Sequence, residues 1–147
     1  MSGPFDTVEL PPTLVVDFGT SAARAAVVSD GTSWLVPEPA SGSPNWPAAA
    51  HWDGERLVVG TLAERLRATD PDGYWSDLKR GLTVDVAVAR GRRRFRPIDH
   101  VTELLAAIGE QARRRHGAPV TRALLTVPGS YPPGDPRRNR MIEAAEA

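Results

Sequence analysis

Short apolar runs alternate with glycine-containing turns in the first part of the chain. Residues 14–18 read LVVDF and stop at a glycine, and residues 22–28 read AARAAVV. A third run, SWLVP, follows an Asp-Gly turn. Apolar segments this short, bounded by turn residues, are typical of β-strands. The pattern predicts three strands, Leu14–Phe18, Ala22–Val28 and Trp34–Val36, joined by tight turns.

The clearest helical pattern covers residues 97–116. Gly117 and Pro119 are signals that end a helix, and three arginines at 113–115 suit the negative end of the helix dipole. Five apolar residues recur at helical spacing and predict one buried face: Val101, Leu104, Leu105, Ile108 and Ala112.

Three further elements are predicted from weaker patterns. Residues 60–68 have helical spacing with Leu62 and Leu66 on one face, and residues 122–127, RALLTV, predict a buried strand. Asp135, followed by proline, is a good N-cap for a last helix. That helix has no stop signal before the end of the sequence, so we expect the chain to be part of a longer protein.

These elements predict an α/β fold in which a mixed sheet is flanked by helices. Residues 1–12 carry no periodicity and are expected to be a lead-in. Residues 13–37 and 97–147 would form a core subdomain, and residues 38–96 a smaller inserted α+β subdomain.

Composition excludes several kinds of chemistry. The 147 residues include no cysteine, so disulfides, thiolate catalysis and cysteine metal sites are excluded. The 18 basic and 18 acidic residues balance, which gives no general attraction to nucleic acid or anionic membranes. No secretory signal or membrane-spanning apolar run is present. We therefore expect a cytoplasmic protein with neither nucleic acid nor membrane among its partners.

Residues 90–96, RGRRRFR, hold five arginines in seven positions. A nucleic-acid patch is one interpretation, but the strand-like VDVAVA and RRFR segments around Gly91 favour a solvated hairpin. The three histidines, at 51, 100 and 116, lack metal-ligand spacing and are interpreted as structural or surface residues.

The turn between the first two strands reads Asp17-Phe-Gly19-Thr20-Ser21. Glycine lets a backbone approach a ligand closely, and successive N–H groups in such a turn can hold an anion. A carboxylate at the strand end suits Mg²⁺, directly or through water. An ordinary hairpin turn uses the same residue types, so the turn alone leaves both interpretations open. It is neither a Walker loop nor a dinucleotide-binding turn.

Lys79 is the only lysine among the 18 basic residues. Arginine usually replaces lysine where any positive charge suffices, whereas a compact ammonium can place a point charge on one small atom. Most lysines are solvated surface residues, so this observation alone leaves its role open.

A series of stretches resembles the DnaK-type heat-shock chaperones of the actin-like ATPase superfamily. VVDFGTSAARAAVV resembles the superfamily's first phosphate motif. DGERLVVGTLAERLRATDPDGYWSDLKRGL resembles the chaperones' turn, strand, helix and lysine-arginine pair. PIDHVTELLAAIGEQARRRHGAPVTRALLTVP resembles their long helix and Val-Pro strand, and RRNRMIEAAEA the helix that follows. The resemblance runs from about Leu14 to the C-terminus.

This resemblance implies a lobe of an actin-like, ribonuclease H-like ATPase domain that uses ATP, ADP and Mg²⁺. It places Lys79 at the family's catalytic lysine, Thr20 and Asp17 beside it in catalysis, and Asp17 on the water shell of the Mg²⁺. It implies nucleotide contacts at five positions: Gly19, Thr20, Ser21, Ala22 and Lys79.

The function implied is an ATPase that drives cycles of client-protein binding. Client peptides, a J-domain co-chaperone and a nucleotide-exchange factor would be its partners in the whole protein, while this chain alone would be inactive. The alternatives are a sugar-kinase-like phosphotransferase and a pseudo-ATPase used as a binding module.

The chain departs from the family pattern in the turn, in the loop after Pro128 and in the segment between Lys79 and the long helix, which is shorter than usual. Ser21 and Ala22 replace a second threonine and a polar or aromatic residue, and the loop at 130–133 reads SYPP. Either Arg137 or Arg138 would match the family's coupling arginine. The chain is expected to be a divergent member.

Overall fold

A computed structural model describes residues 11–84 and 86–147. Five strands form one mixed sheet: β1 (Thr13–Phe18), β2 (Ala22–Ser29), β3 (Thr32–Leu35), β4 (Trp46–Pro47) and β10 (Arg122–Leu125). Their order is β10-β1-β2-β3, with β4 also paired to β2. β1 runs antiparallel to β2 and parallel to β10. The predicted mixed α/β architecture is thereby confirmed.

Two helices, α3 (Pro97–His116) and α4 (Pro136–Glu146), pack against each other beside this sheet. The predicted bounds of α3 are confirmed, and Gly117 ends it in the left-handed conformation with φ 75°. Asp135 caps α4 by accepting a hydrogen bond from the N–H of Arg137 at 2.8 Å. All five residues of the predicted stripe on α3 are buried, and they pack on Val16, Phe18, Val27 and Met141.

The segment between β4 and α3 is built from small elements. β5 (Ala50–Trp52) pairs with β6 (Leu57–Val59) and β7 (Tyr74–Trp75), and β8 (Val88–Arg90) pairs with β9 (Arg93–Phe95). The helices here are α1 (Thr61–Leu66), a 3₁₀ turn at Pro71–Gly73 and α2 (Leu78–Gly81). The hairpin predicted around Gly91 is present. Residue 85 and residues 1–10, which belong to the predicted hairpin and lead-in, lie outside the described residues.

Three details of the prediction were wrong. Leu62 is 44% exposed, and the buried side of α1 is formed by Ala63 instead. β3 ends before Val36, although the N–H of Val36 still donates to the Ala25 carbonyl at 2.9 Å. β10 was predicted to be buried, yet its Leu124 is 59% exposed. β10 is exposed because it lies at the edge of the sheet, paired with β1 alone.

Across residues 11–84 and 86–147, no helix combines the length and the apolar surface that crossing a bilayer requires.

Candidate phosphate site

The turn between β1 and β2 is closed by glycine. The N–H of Gly19 donates to the carbonyl of Ala22 at 3.0 Å. A β-carbon on Gly19 would lie 2.5 Å from that same carbonyl oxygen, so a larger residue would force the turn open. Thr20 and Ser21 are exposed at its tip. Within the described residues, no hydrogen bond uses their hydroxyls or their backbone N–H groups. The tip therefore presents free donors to solvent.

Lys79 reaches this turn from α2. Its neighbours Leu78 and Leu82 are buried in the core at 3% and 1% exposure, so the short helix is anchored. The Nζ atom of Lys79 donates a hydrogen bond to the backbone carbonyl of Phe18, the residue before Gly19. The only lysine of the sequence thus lies beside the candidate phosphate-binding turn between β1 and β2.

The short helix α2 follows a residue with an uncommon backbone conformation and is held at its other end by α4. Asp77, the residue before it, has φ 51° and ψ 43°, a left-handed conformation that is uncommon for residues other than glycine. At the other end, Arg140 of α4 donates a hydrogen bond to the carbonyl of Leu82. Residues in sparsely populated conformations persist where surrounding structure holds them. Here the core and α4 supply that support.

Asp17 is held by a residue that the sequence analysis missed. The hydroxyl of Thr126 donates to Oδ1 of Asp17 at 2.8 Å and accepts the N–H of Phe18 at 3.2 Å. The N–H of Thr126 in turn donates to the carbonyl of Val16 at 3.0 Å, extending the parallel ladder of β10 and β1. Only the pairing register of these two distant strands places Thr126 here, and nothing in its local sequence indicates it.

The charge of Lys79 is affected by two opposing influences. Burial lowers the pKa of its ammonium group below the ordinary value of 10.5, and the negative charge of Asp17 acts in the opposite direction. Burial therefore disfavours the charged form of this amine, and Asp17 offsets that effect only in part. A phosphate anion would stabilise such a group.

The predicted site residues fall into two sets. Asp17, Gly19, Thr20, Ser21 and Lys79 lie together around one turn, whereas Ala22 begins β2 and contributes its carbonyl to closing the turn. No cluster of three or more metal-ligating side chains occurs in the described parts of the chain. The donors around the turn are of the kind that suits an anion, and a carboxylate such as that of Asp17 suits a metal ion, directly or through water.

Two of the histidines are buried structural residues. Nε2 of His51 lies 2.8 Å from the carbonyl of Asp70. The His100 ring lies 4.2 Å from Trp75, and burial lowers its pKa to about 4. His116 lies 5.7 Å from the Trp34 ring.

A cavity of about 700 Å³ lies away from the turn, between α3, β10 and α4. Arg138 is the only arginine besides Arg122 among the residues lining it. Arg137 instead bonds Asp135 and lies 4.0 Å over the ring of Tyr131. The candidate phosphate-binding turn between β1 and β2 does not line this cavity, so the cavity is not the candidate site.

Comparison with known proteins agrees with the resemblance. The chain is 27% identical over 118 residues to the chaperone protein DnaK of Mesomycoplasma hyopneumoniae. The matched stretch covers 80% of this chain. The chaperone protein DnaK of Ureaplasma parvum matches over the same length with the same identity. The chain is related to the DnaK-type chaperones. It spans 19% of the length of these DnaK proteins. No family model matches the chain.

Proposed function

We propose that this chain binds the phosphate groups of ATP as part of a DnaK-type ATPase. The observation that carries the proposal is the hydrogen bond from Lys79 to Phe18, which brings the single lysine beside Gly19 and the free donors of Thr20 and Ser21. Backbone N–H groups, hydroxyls and an ammonium around one turn are the donor set that phosphate binds. The relationship to DnaK supports the same assignment.

Each residue would have a distinct role toward the nucleotide. Lys79 would leave the Phe18 carbonyl and place its ammonium on a phosphoryl oxygen, where negative charge spreads during transfer. Thr20 and Ser21 would donate to phosphate. Asp17, oriented by Thr126, would hold waters of the Mg²⁺ ion, which supplies charge neutralisation when bound.

The finer assignments rest on the family relationship. We propose an actin-like lobe with residues 38–96 as its inserted subdomain, and ATP hydrolysis that drives client binding in the whole protein. Client peptides, a J-domain co-chaperone and a nucleotide-exchange factor would be partners there. We propose a cytoplasmic location, which the same relationship supports.

Nucleotide binding without hydrolysis is the second candidate. The observation that favours it is the departure from the family pattern at Ser21 and Ala22 and in the loop at 130–133. The resemblance would place the other carboxylates that hydrolysis needs further along the whole protein.

Binding can be tested on the chain itself by amide NMR. Each charge-assisted hydrogen bond contributes about 1.5–3 kcal/mol, and the few donors present predict affinity weaker than micromolar. Inorganic triphosphate and Mg·ATP should shift the amides of residues 19–21, and adenosine should not. Lys79→Ala should abolish the shifts, while Arg80→Ala, which removes an adjacent exposed charge, should leave them. Equal effects of both variants would contradict a specific site.

Hydrolysis is tested in the whole protein. Removing one preorganised donor costs about 10²–10³ in rate, so Lys79→Ala should slow single-turnover hydrolysis by that factor while ATP still binds. Lys79→Arg should restore little, because the guanidinium is wider than an ammonium. Hydrolysis at the unmodified rate by Lys79→Arg would show that the lysine has no catalytic role.

A further inference from the structure

The hairpin of β8 and β9, residues 88–95, carries arginines that the described part of the chain does not neutralise. We call it the arginine hairpin. Residues 86–98 contain neither aspartate nor glutamate. Arg92, Arg93 and Arg94 are exposed, and none of them forms an ion pair with another described residue.

Two arginines of this hairpin lie directly opposite each other. Arg90 pairs with Arg93 across the ladder, and like charges at opposed positions destabilise a sheet. Each guanidinium lies over a tryptophan ring, Arg90 over Trp75 at 5.0 Å and Arg93 over Trp52 at 5.7 Å. Cation–π contacts of this kind offset part of the repulsion.

The tryptophans form part of a packed aromatic layer. The Phe95 ring lies 5.0 Å from Trp52 and 5.6 Å from Trp75. Trp75 also packs on the buried ring of His100 at 4.2 Å. The guanidinium groups are therefore supported from beneath by fixed side chains, which reduces the entropy lost when they bind a partner.

A second arginine cluster in the same chain is neutralised internally. At the end of α3, Arg113 and Arg114 both bond Glu110, at 2.8 Å and 2.7 Å. The negative end of the helix dipole compensates their charge further. The contrast separates the two clusters: one has a carboxylate partner within the chain, and the arginine hairpin has none in the described residues.

We propose that the arginine hairpin binds an acidic segment of another protein, a short run of aspartate or glutamate side chains. Carboxylates match the fork of a guanidinium group. Nucleic acid fits less well, since Trp52 and Trp75, the rings that could stack on bases, lie beneath arginines. The 18 basic and 18 acidic residues of the whole chain balance, so there is no general attraction to a long polyanion. This inference does not depend on the proposed nucleotide site.

Titration with a short oligoglutamate peptide, followed by tryptophan fluorescence, tests the proposal. The peptide should change the emission, because its carboxylates compete for guanidinium groups that lie over tryptophan, and added salt should weaken binding. The double variant R92S/R94S leaves both cation–π contacts intact and should weaken binding about fivefold or more. The matched variant R114S/R115S loses the same charge and should bind as the unmodified chain does.

Three results would overturn the proposal. They are an unchanged emission, an equal loss of affinity in both double variants, and tighter binding of a single-stranded oligonucleotide than of the peptide at about 150 mM salt. Equal loss would mean that net charge alone attracts the peptide. Tighter oligonucleotide binding would assign the surface to nucleic acid.

Discussion

Lys79 donates a hydrogen bond from its side chain to the backbone carbonyl of Phe18, across 61 residues of sequence. The N–H of Phe18 donates at the same time to the hydroxyl of Thr126, 108 residues further along. Three segments of the chain therefore meet at one residue of β1, next to the turn that begins at Gly19. This convergence is the structural basis of the proposed phosphate site.

The pKa of Lys79 should be measurable without interference, because the chain holds no other lysine. Labelling with [ε-¹³C]lysine gives one side-chain signal, whose pH titration should have a midpoint below 10.5, since burial disfavours the charged form. Asp17→Asn removes the charge that supports the ammonium, so it should lower the midpoint further. A midpoint at the ordinary value, or one that rises in Asp17→Asn, would contradict the geometry described.

Local sequence signals predicted the long helix α3 better than the outer strands. α3 was predicted to the residue because its apolar stripe, its dipole-compatible arginines and Gly117 all agree. The exposure of Leu124 depends on which strand lies at the sheet edge, and that is set by tertiary pairing. An apolar run alone cannot distinguish an edge strand from a central one.

Local sequence likewise predicted only part of the candidate phosphate site. Asp17, Gly19 and Thr20 are contiguous, so one stretch of sequence predicted their proximity. Lys79 was placed beside them through the family resemblance. Thr126 was missed because its role comes from the parallel register of β10 on β1, and two strands so distant in sequence leave no local signal.

Thr126 should control the position of Asp17. Thr126→Val keeps the shape of the side chain but removes the hydroxyl that bonds Asp17 and Phe18. The amide of Phe18 should then exchange with solvent faster, and stability should fall by about 1–3 kcal/mol, since a buried donor loses its partner. Thr126→Ser retains the hydroxyl and is the control. Hydrogen-exchange NMR measures the exchange rate of the Phe18 amide in both variants. Equal rates in the Val and Ser variants would exclude a role of the Thr126 hydroxyl in holding this part of β1.

Gly19→Ala should destabilise the fold by about 1–3 kcal/mol, because its β-carbon would lie 2.5 Å from the Ala22 carbonyl oxygen. Gly109→Ala is the matched control. A β-carbon at Gly109, inside α3, meets nothing within 4 Å, and alanine favours a helix by about 1 kcal/mol over glycine. The midpoint of urea unfolding should therefore fall for Gly19→Ala and rise for Gly109→Ala. A Gly19→Ala variant as stable as the unmodified chain would contradict the closed turn.

Stability should depend on pH through His100. Burial lowers its pKa from 6.5 to about 4; the negative charge of Asp99 acts in the opposite direction, and the positive charge of Arg90 adds to the lowering. Between these values the unfolded chain binds a proton that the folded chain does not, so the free energy of unfolding should fall as the pH drops through this range. The loss should approach about 3 kcal/mol.

His100→Phe keeps a ring against Trp75 but cannot ionise. Urea unfolding at several pH values should give a shallower slope between pH 6.5 and about 4 for this variant than for the unmodified chain. Identical slopes would mean that His100 is protonated equally in both states.

The response of the single Lys79 side-chain signal to triphosphate tests the central claim most directly. With [ε-¹³C]lysine in the chain, added inorganic triphosphate or Mg·ATP should move this signal and raise its titration midpoint, because a bound phosphate favours the charged ammonium. The amides of Thr20 and Ser21 should shift over the same concentrations. If those amides and Lys79 stay unchanged while triphosphate shifts signals elsewhere, or shifts none, the proposed phosphate site is wrong.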